Sequence, residues 1–185
     1  MLYQNFVAAL IICIATTGFA QDPFWSEDFS GGEIPADWSN VDDMLTLNGD
    51  GDTVNVLFTY CADVTACAPA VYSFGAGFGE FAAPTAGNGY VVVDSDAGGE
   101  LDTFHLTRFT SPVINCADQP EVYLSFASHI ATFANNAQDN AVLRVWTSGS
   151  QDWTTITLYP GLTTAPGTEA SANPVSHFID ISDYP

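Results

Sequence analysis

The chain has 185 residues, of which 22 are acidic and only two basic, giving a formal net charge of −20 against a 47% hydrophobic composition. Such an acidic excess repels phosphate backbones and anionic lipid, which argues against nucleic-acid binding and simple adsorption to a membrane surface. With no Cys-x-x-Cys and no histidine at metal-finger spacing, a zinc site has little to be built from.

Residues 1–20, MLYQNFVAALIICIATTGFA, form an uncharged apolar run closing on Gly18-Phe19-Ala20. Small residues at the −3 and −1 positions predict a secretory signal cleaved before Gln21. The run is short for a membrane span, so no integral membrane segment is expected after cleavage. Ile11 and Ile12 are too bulky for a lipobox ahead of Cys13. The predicted product, residues 21–185, is one secreted or cell-surface domain that carries the whole net charge. About 165 residues suffice for a substantial core.

Along that domain, apolar segments rich in β-branched and aromatic residues are short and separated by Gly, Pro, Asn and Thr. Strands are predicted at 25–29, 53–59, 89–95, 103–110, 121–128, 141–148, 153–159 and 175–181. In EVYLSFAS (121–128), Val122, Leu124 and Phe126 share one face and Tyr123 and Ser125 the other. The stretches 83–89 and 163–174 read as loops, the second long and exposed. Regularly spaced strands with turn-rich connections predict an all-β antiparallel sandwich. Of the cysteines beyond the leader, the close pair Cys61 and Cys67 reads as a small disulfide-closed loop, worth about 2 kcal/mol in the chain-entropy model. Cys116 is left over, either buried or competing with Cys61 for Cys67.

Five blocks run in order along this chain: WSEDFSGGEIPADWSN (25–40), GYVVVDSD (89–96), LTRFTSPVINCADQPEVYLSF (106–126), LRVWTSGSQDWTTITLYPG (143–161) and NPVSHFIDIS (173–182). Together they resemble the MAM-like, choice-of-anchor (cleaved-adhesin-like) jelly-roll domains of secreted bacterial proteins. The resemblance implies a concanavalin-type jelly roll set beside adhesin or protease domains, with glycan, protein or neighbouring-domain partners. In that family one or two further strands follow the point where this chain stops, so the sandwich is expected to be incomplete at its C-terminus, with an open sheet edge there.

The stretch GGELDTFHLTRF (98–109) resembles the Glu-x-Asp-x-x-Glu strand of laminarinase-type glycoside hydrolases, with Glu100 and Asp102 in place and His105 where the third acid belongs. A retaining glycosidase needs two carboxyl groups about 5–5.5 Å apart as nucleophile and acid. On a regular strand His105 points away from Glu100, because their offset is odd. No Gly-x-Ser-x-Gly, His-Glu-x-x-His or phosphate-binding glycine loop occurs, and His105, His129 and His177 fall on or directly beside separate predicted strands. No catalytic residue is assigned, and the hydrolase is the weakest of three readings, behind a binding module and a structural spacer.

Calcium favours clustered carboxylate and carbonyl oxygens. One candidate set is Glu27 and Asp28 with Asp94 and Asp96; the resemblance, in which a structural cation sits near the first strand, singles out Glu27 and Asp94. A weaker set, Asn48, Asp50 and Asp52, has EF-hand-like alternation but lacks the glycine at position six and the glutamate at position twelve. The competing reading makes these residues turn formers and solvated loop acids. On AVLRVWTS (141–148), Arg144 and Trp146 share the face opposite Leu143 and Val145. If Leu143 and Val145 face the core, Arg144 and Trp146 form an outer surface able to grip a sugar or an acidic peptide group. Otherwise Trp146 packs beneath further strands and Arg144 pairs with an acid.

Overall fold

The computed structural model describes residues 4–14, 22–44, 46–63, 81–94, 105–133, 141–149, 151–160 and 168–184, with the backbone alone at 4–14, 132–133 and 168–169. In chain order the strands are β1 (Gln4–Ile14), β2 (Trp25–Glu27), β3 (Ser39–Asp42), β4 (Thr46–Leu47), β5 (Thr53–Val54), β6 (Thr59–Cys61), β7 (Tyr90–Asp94), β8 (Thr107–Thr110), β9 (Tyr123–Phe133), β10 (Val142–Trp146), β11 (Trp153–Thr157), β12 (Thr168–Ala170) and β13 (Val175–Asp180). The protein is all-β, and its ladders are antiparallel.

Seven strands make one large sheet in which β9 is bordered by β12 and β13 on one side and by β1 on the other. Past β1 come β7 and β6, while β2 pairs with the C-terminal part of β1. Residues 4–14, which fall within the predicted leader, are thus the strand joining the two halves of this sheet. The pairs β3–β8, β4–β5 and β10–β11 stand apart from it.

Side-chain alternation explains the layering. Val91 and Val93 of β7 pack against Phe29, Val56 and Phe58, with Phe109 of β8 beside them. Farther along the same layer, Leu124 and Phe126 of β9 meet Leu143 of β10, Leu158, Ile114 and Ile179. The opposite face of β7 presents Tyr90 and Val92 to Cys61, Phe81 and Ala83. With apolar partners on both sides, all five residues of β7 are buried. That is why its sequence, YVVVD, is an almost unbroken apolar run rather than an alternation. Each such valine contributes about 1.5–3 kcal/mol on burial. Aromatic rings fill the interior near β3 and β8: Trp38 stacks on Phe109 with centroids 4.5 Å apart, and Phe58 lies 5.2 Å from the same ring.

Two predicted elements take a different form. The segment 53–59 is not one strand: β5 ends at Val54, and the chain runs irregularly before β6. Asn40 explains the break, since its amide donates to the Phe58 carbonyl at 2.8 Å and accepts from the Phe58 N–H at 3.1 Å, standing in for a neighbouring strand. The expected loop 163–174 contains β12, which pairs with Phe133–Ala131 of β9.

Candidate functional site

The β10–β11 hairpin sets two exposed tryptophans side by side. Its register sets Trp146 opposite Trp153, Arg144 opposite Thr155 and Val142 opposite Thr157. Burial alternates strictly along both strands, so these six side chains all face outward. Leu143 points inward and packs on Leu124 and Phe126, which anchors the hairpin. Trp146 and Trp153 are each 41% exposed. The Arg144 guanidinium carbon lies 5.4 Å from the centre of the Trp153 ring, within cation–π range. Chemically this is a pair of exposed indole rings edged by a planar fork of donors, the kind of surface that stacks on an apolar sugar face and donates to its oxygens.

The calcium sets fare differently. Glu27 accepts from the Phe29 N–H at 2.6 Å, and Asp28 accepts from the Ser30 N–H at 3.0 Å and the Asn88 side-chain amide at 2.9 Å. The hydrogen bonds from Ser30 hold the Asp28 carboxyl below the usual carboxylate range. Glu27, Asp28 and Glu33 border a shallow cleft of about 330 Å³ that also takes in Ser26, Ser30, Gly31 and Pro35. Asn88 precedes β7, whereas Asp94 closes it. Along β1, likewise, Glu27 is opposite Ile11 and Asp94 is opposite Asn5. Six residues of strand separate the two positions by about 20 Å. Glu27 and Asp28 therefore cannot share a cation with Asp94, and the joint set is corrected to two distant groups. Asp96 lies outside the described residues. In the weaker set, the Asn48 side-chain oxygen accepts from the Asp50 N–H at 3.1 Å and the Asp52 N–H at 2.8 Å. That carbonyl is occupied in shaping the β4–β5 turn, where Gly51 takes a φ of 80°. Among the described residues no three His, Cys, Asp or Glu side chains converge as a metal site.

Glu100 and Asp102 lie outside the described residues. His105 sits just ahead of β8 with its Nδ1 3.1 Å from the Thr107 hydroxyl. Cys61 is disulfide-bonded, and its expected partner Cys67 lies outside the described residues. Cys116 carries a free thiol whose pKa is pushed up by burial.

One constellation escaped the sequence analysis. Ser128 Oγ lies 2.8 Å from His177 Nε2 and also bonds to the Tyr159 hydroxyl. It resembles a nucleophile with its base, yet Ser128 is 0% exposed, so no substrate reaches its oxygen. The trio is a buried polar link between β9, β13 and the end of β11. The only sequence signal was a Ser-His pair, Ser128-His129, at the end of a predicted strand; the partner histidine comes from 49 residues away. His129 faces the other way, its Nδ1 3.1 Å from Ser171 Oγ, and its Nε2 is buried with no hydrogen-bond partner among the described residues.

No family model, no curated protein and no solved structure matches this chain.

Proposed function

We propose that this chain is a non-catalytic binding module of a secreted or cell-surface protein, a jelly-roll form of the sandwich that holds a glycan on the outer face of β10–β11. The observation that carries this reading is the exposed Trp146–Trp153 cross-strand pair with Arg144 against Trp153. A hairpin placed only to fill space has no use for two half-exposed indole rings, whose apolar area is costly to leave in water. The leader-like residues 1–20 and the ordered MAM-like blocks support the extracellular setting. Net charge selects within the ligand class: at −20 the surface repels polyanions, so a neutral glycan is favoured, with Arg144 donating to ring or hydroxyl oxygens. Calcium enters this reading as a counter-ion that screens self-repulsion.

The test is titration of neutral and acidic polysaccharides, followed by a glycan array. Binding to a neutral glycan should fall at least ten-fold in Trp153→Ala and Trp146→Ala with the circular dichroism spectrum unchanged. Absence of binding across the array, or binding indifferent to both substitutions, would leave the spacer reading in its place.

A further inference from the structure

Residues 4–14 carry two readings that exclude each other in a single molecule. As a leader they are removed; as β1 they close the large sheet. On one edge β1 pairs with β9 from Gln4 opposite Thr132 to Ile14 opposite Tyr123. On the other it pairs with β7, Asn5–Ala8 opposite Asp94–Val91, and then with β2, Ile11–Cys13 opposite Glu27–Trp25. Neighbouring strands lie about 4.8 Å apart, so removing β1 leaves β7 and β9 about 9.6 Å apart. No main-chain hydrogen bond spans that distance, yet it is the width of one strand. The walls are among the most buried residues of the protein: Val91 and Val92 at 1%, Ile130 and Ala131 at 2%. A processed chain would leave two rows of backbone donors and acceptors facing a slot within its own core.

We propose that the slot between β7 and β9 is a strand-acceptor site, filled by Gln4–Ile14 before processing and afterwards by an extended segment of a partner polypeptide. This inference rests on the leader reading and is independent of the β10–β11 surface. The slot defines the partner's chemistry. The incoming strand runs antiparallel to both walls, bonding to each through its main chain in the manner of β-augmentation. It is apolar where it passes Val91–Val93 and Ile130, the positions that Phe6, Val7 and Ala8 now occupy. It carries no acidic side chain, because the receiving domain holds the entire net charge of −20 and Asp94 stands at one end of the slot. The strand seated there now, QNFVAALIICI, satisfies each condition.

The experiment uses the full chain with a specific protease site placed within residues 15–21, cut after purification, and a fluorescent synthetic peptide of residues 4–14 as the probe. The cut strand should stay with the body through gel filtration, and the probe should replace it saturably. Binding should be at least ten-fold tighter than for the same peptide carrying Val7→Pro and Ile12→Pro, which remove main-chain donors. Equal binding of both peptides, or no binding to a cut body that stays folded, overturns the proposal. Should the cut body precipitate, amide hydrogen exchange on the uncut chain decides. There Val7→Pro should speed exchange at least ten-fold in both Val91–Val93 and Ser128–Ala131, and acceleration confined to residues 4–14 overturns the slot. A dimer of intact chains that trade their first strands would assign the slot to a second copy and overturn the partner reading.

Discussion

Ser128 and His177 meet across the β9–β13 ladder at 2.8 Å, in the layer between the large sheet and the β10–β11 hairpin. The imidazole lies flat on Phe126 with centroids 4.6 Å apart and edge-on to Tyr159. It is a neutral group in an apolar sandwich, and its neutrality sets how the protein responds to acid.

Burial lowers the His177 pKa below its ordinary value of 6.5, and burial lowers those of His129 and His105 as well. Backbone bonding to Ala172 partly opposes the shift at His129, and the Asp42 charge does so at His105. Each imidazole therefore takes a proton more readily in the unfolded chain, so stability is full above pH 6.5 and is lost as the pH falls towards the folded pKa values. Carboxylates hardly titrate between pH 7.5 and 5.5, so the histidines dominate that window. We expect the melting temperature to fall by several degrees across it, and His177→Gln to remove part of the slope. A flat or rising profile contradicts this account.

Asp42, at the end of β3, holds three segments together. It accepts from the Thr46 hydroxyl at 2.8 Å, the Met44 N–H at 3.2 Å and the Val56 N–H at 3.3 Å. Thr46 is fully buried, so losing its acceptor strands a hydroxyl in the interior. Asp42→Ala should cost about 2–4 kcal/mol by urea unfolding, and Asp42→Asn less, since one acceptor oxygen survives. A cost below about 0.5 kcal/mol for the alanine variant would show that water replaces the carboxylate.

Gly89 launches β7 with a φ of 101°, and a side-chain carbon placed there would collide with the Tyr60 ring. That ring is tethered through its hydroxyl to the Asn88 carbonyl at 3.3 Å. Gly89→Ala combines the left-handed penalty with the clash, and should cost about 2–4 kcal/mol. Pairing it with Tyr60→Ala should recover the steric share, a coupling that a double-mutant cycle reads directly.

Screening of the −20 charge should raise the melting temperature as sodium chloride is added. At matched ionic strength calcium should add no further saturating step, because Glu27 and Asp28 stand about 20 Å from Asp94. A step saturating at micromolar calcium and abolished by Asp28→Asn would locate a specific site in the Glu27–Asp28–Glu33 cleft.

How much of this was legible beforehand depends on how local each feature is. The faces of 121–128 and 141–148 follow from alternation alone, and Val122, Leu124 and Phe126 are all buried as the period of two requires. Alternation also puts Arg144 and Trp146 on one face together, but that this face is the outer one comes from the packing of Leu143 on Leu124 and Phe126. By contrast β1 hides in a run with no polar alternation, which is also what a leader looks like. The short polar strands β3 and β4 owe their form to Asn40 and Asp42 reaching across the chain. Nor does any local rule place Glu27 and Asp94 at opposite ends of β7 or bring His177 to Ser128, because strand pairing decides both.

The distribution of positive charge has a last consequence, for digestion. The chain offers trypsin only two cleavage points, after Arg108 and Arg144. Arg108 lies within β8, its Nε and Nη2 both held by Asp43 at 2.8 and 2.9 Å, and Arg144 lies within β10. Neither backbone can enter a protease cleft without first leaving its ladder. The native protein should outlast trypsin and, once these ladders open, release the fragments 109–144 and 145–185, making their appearance a direct clock for the opening of β8 and β10.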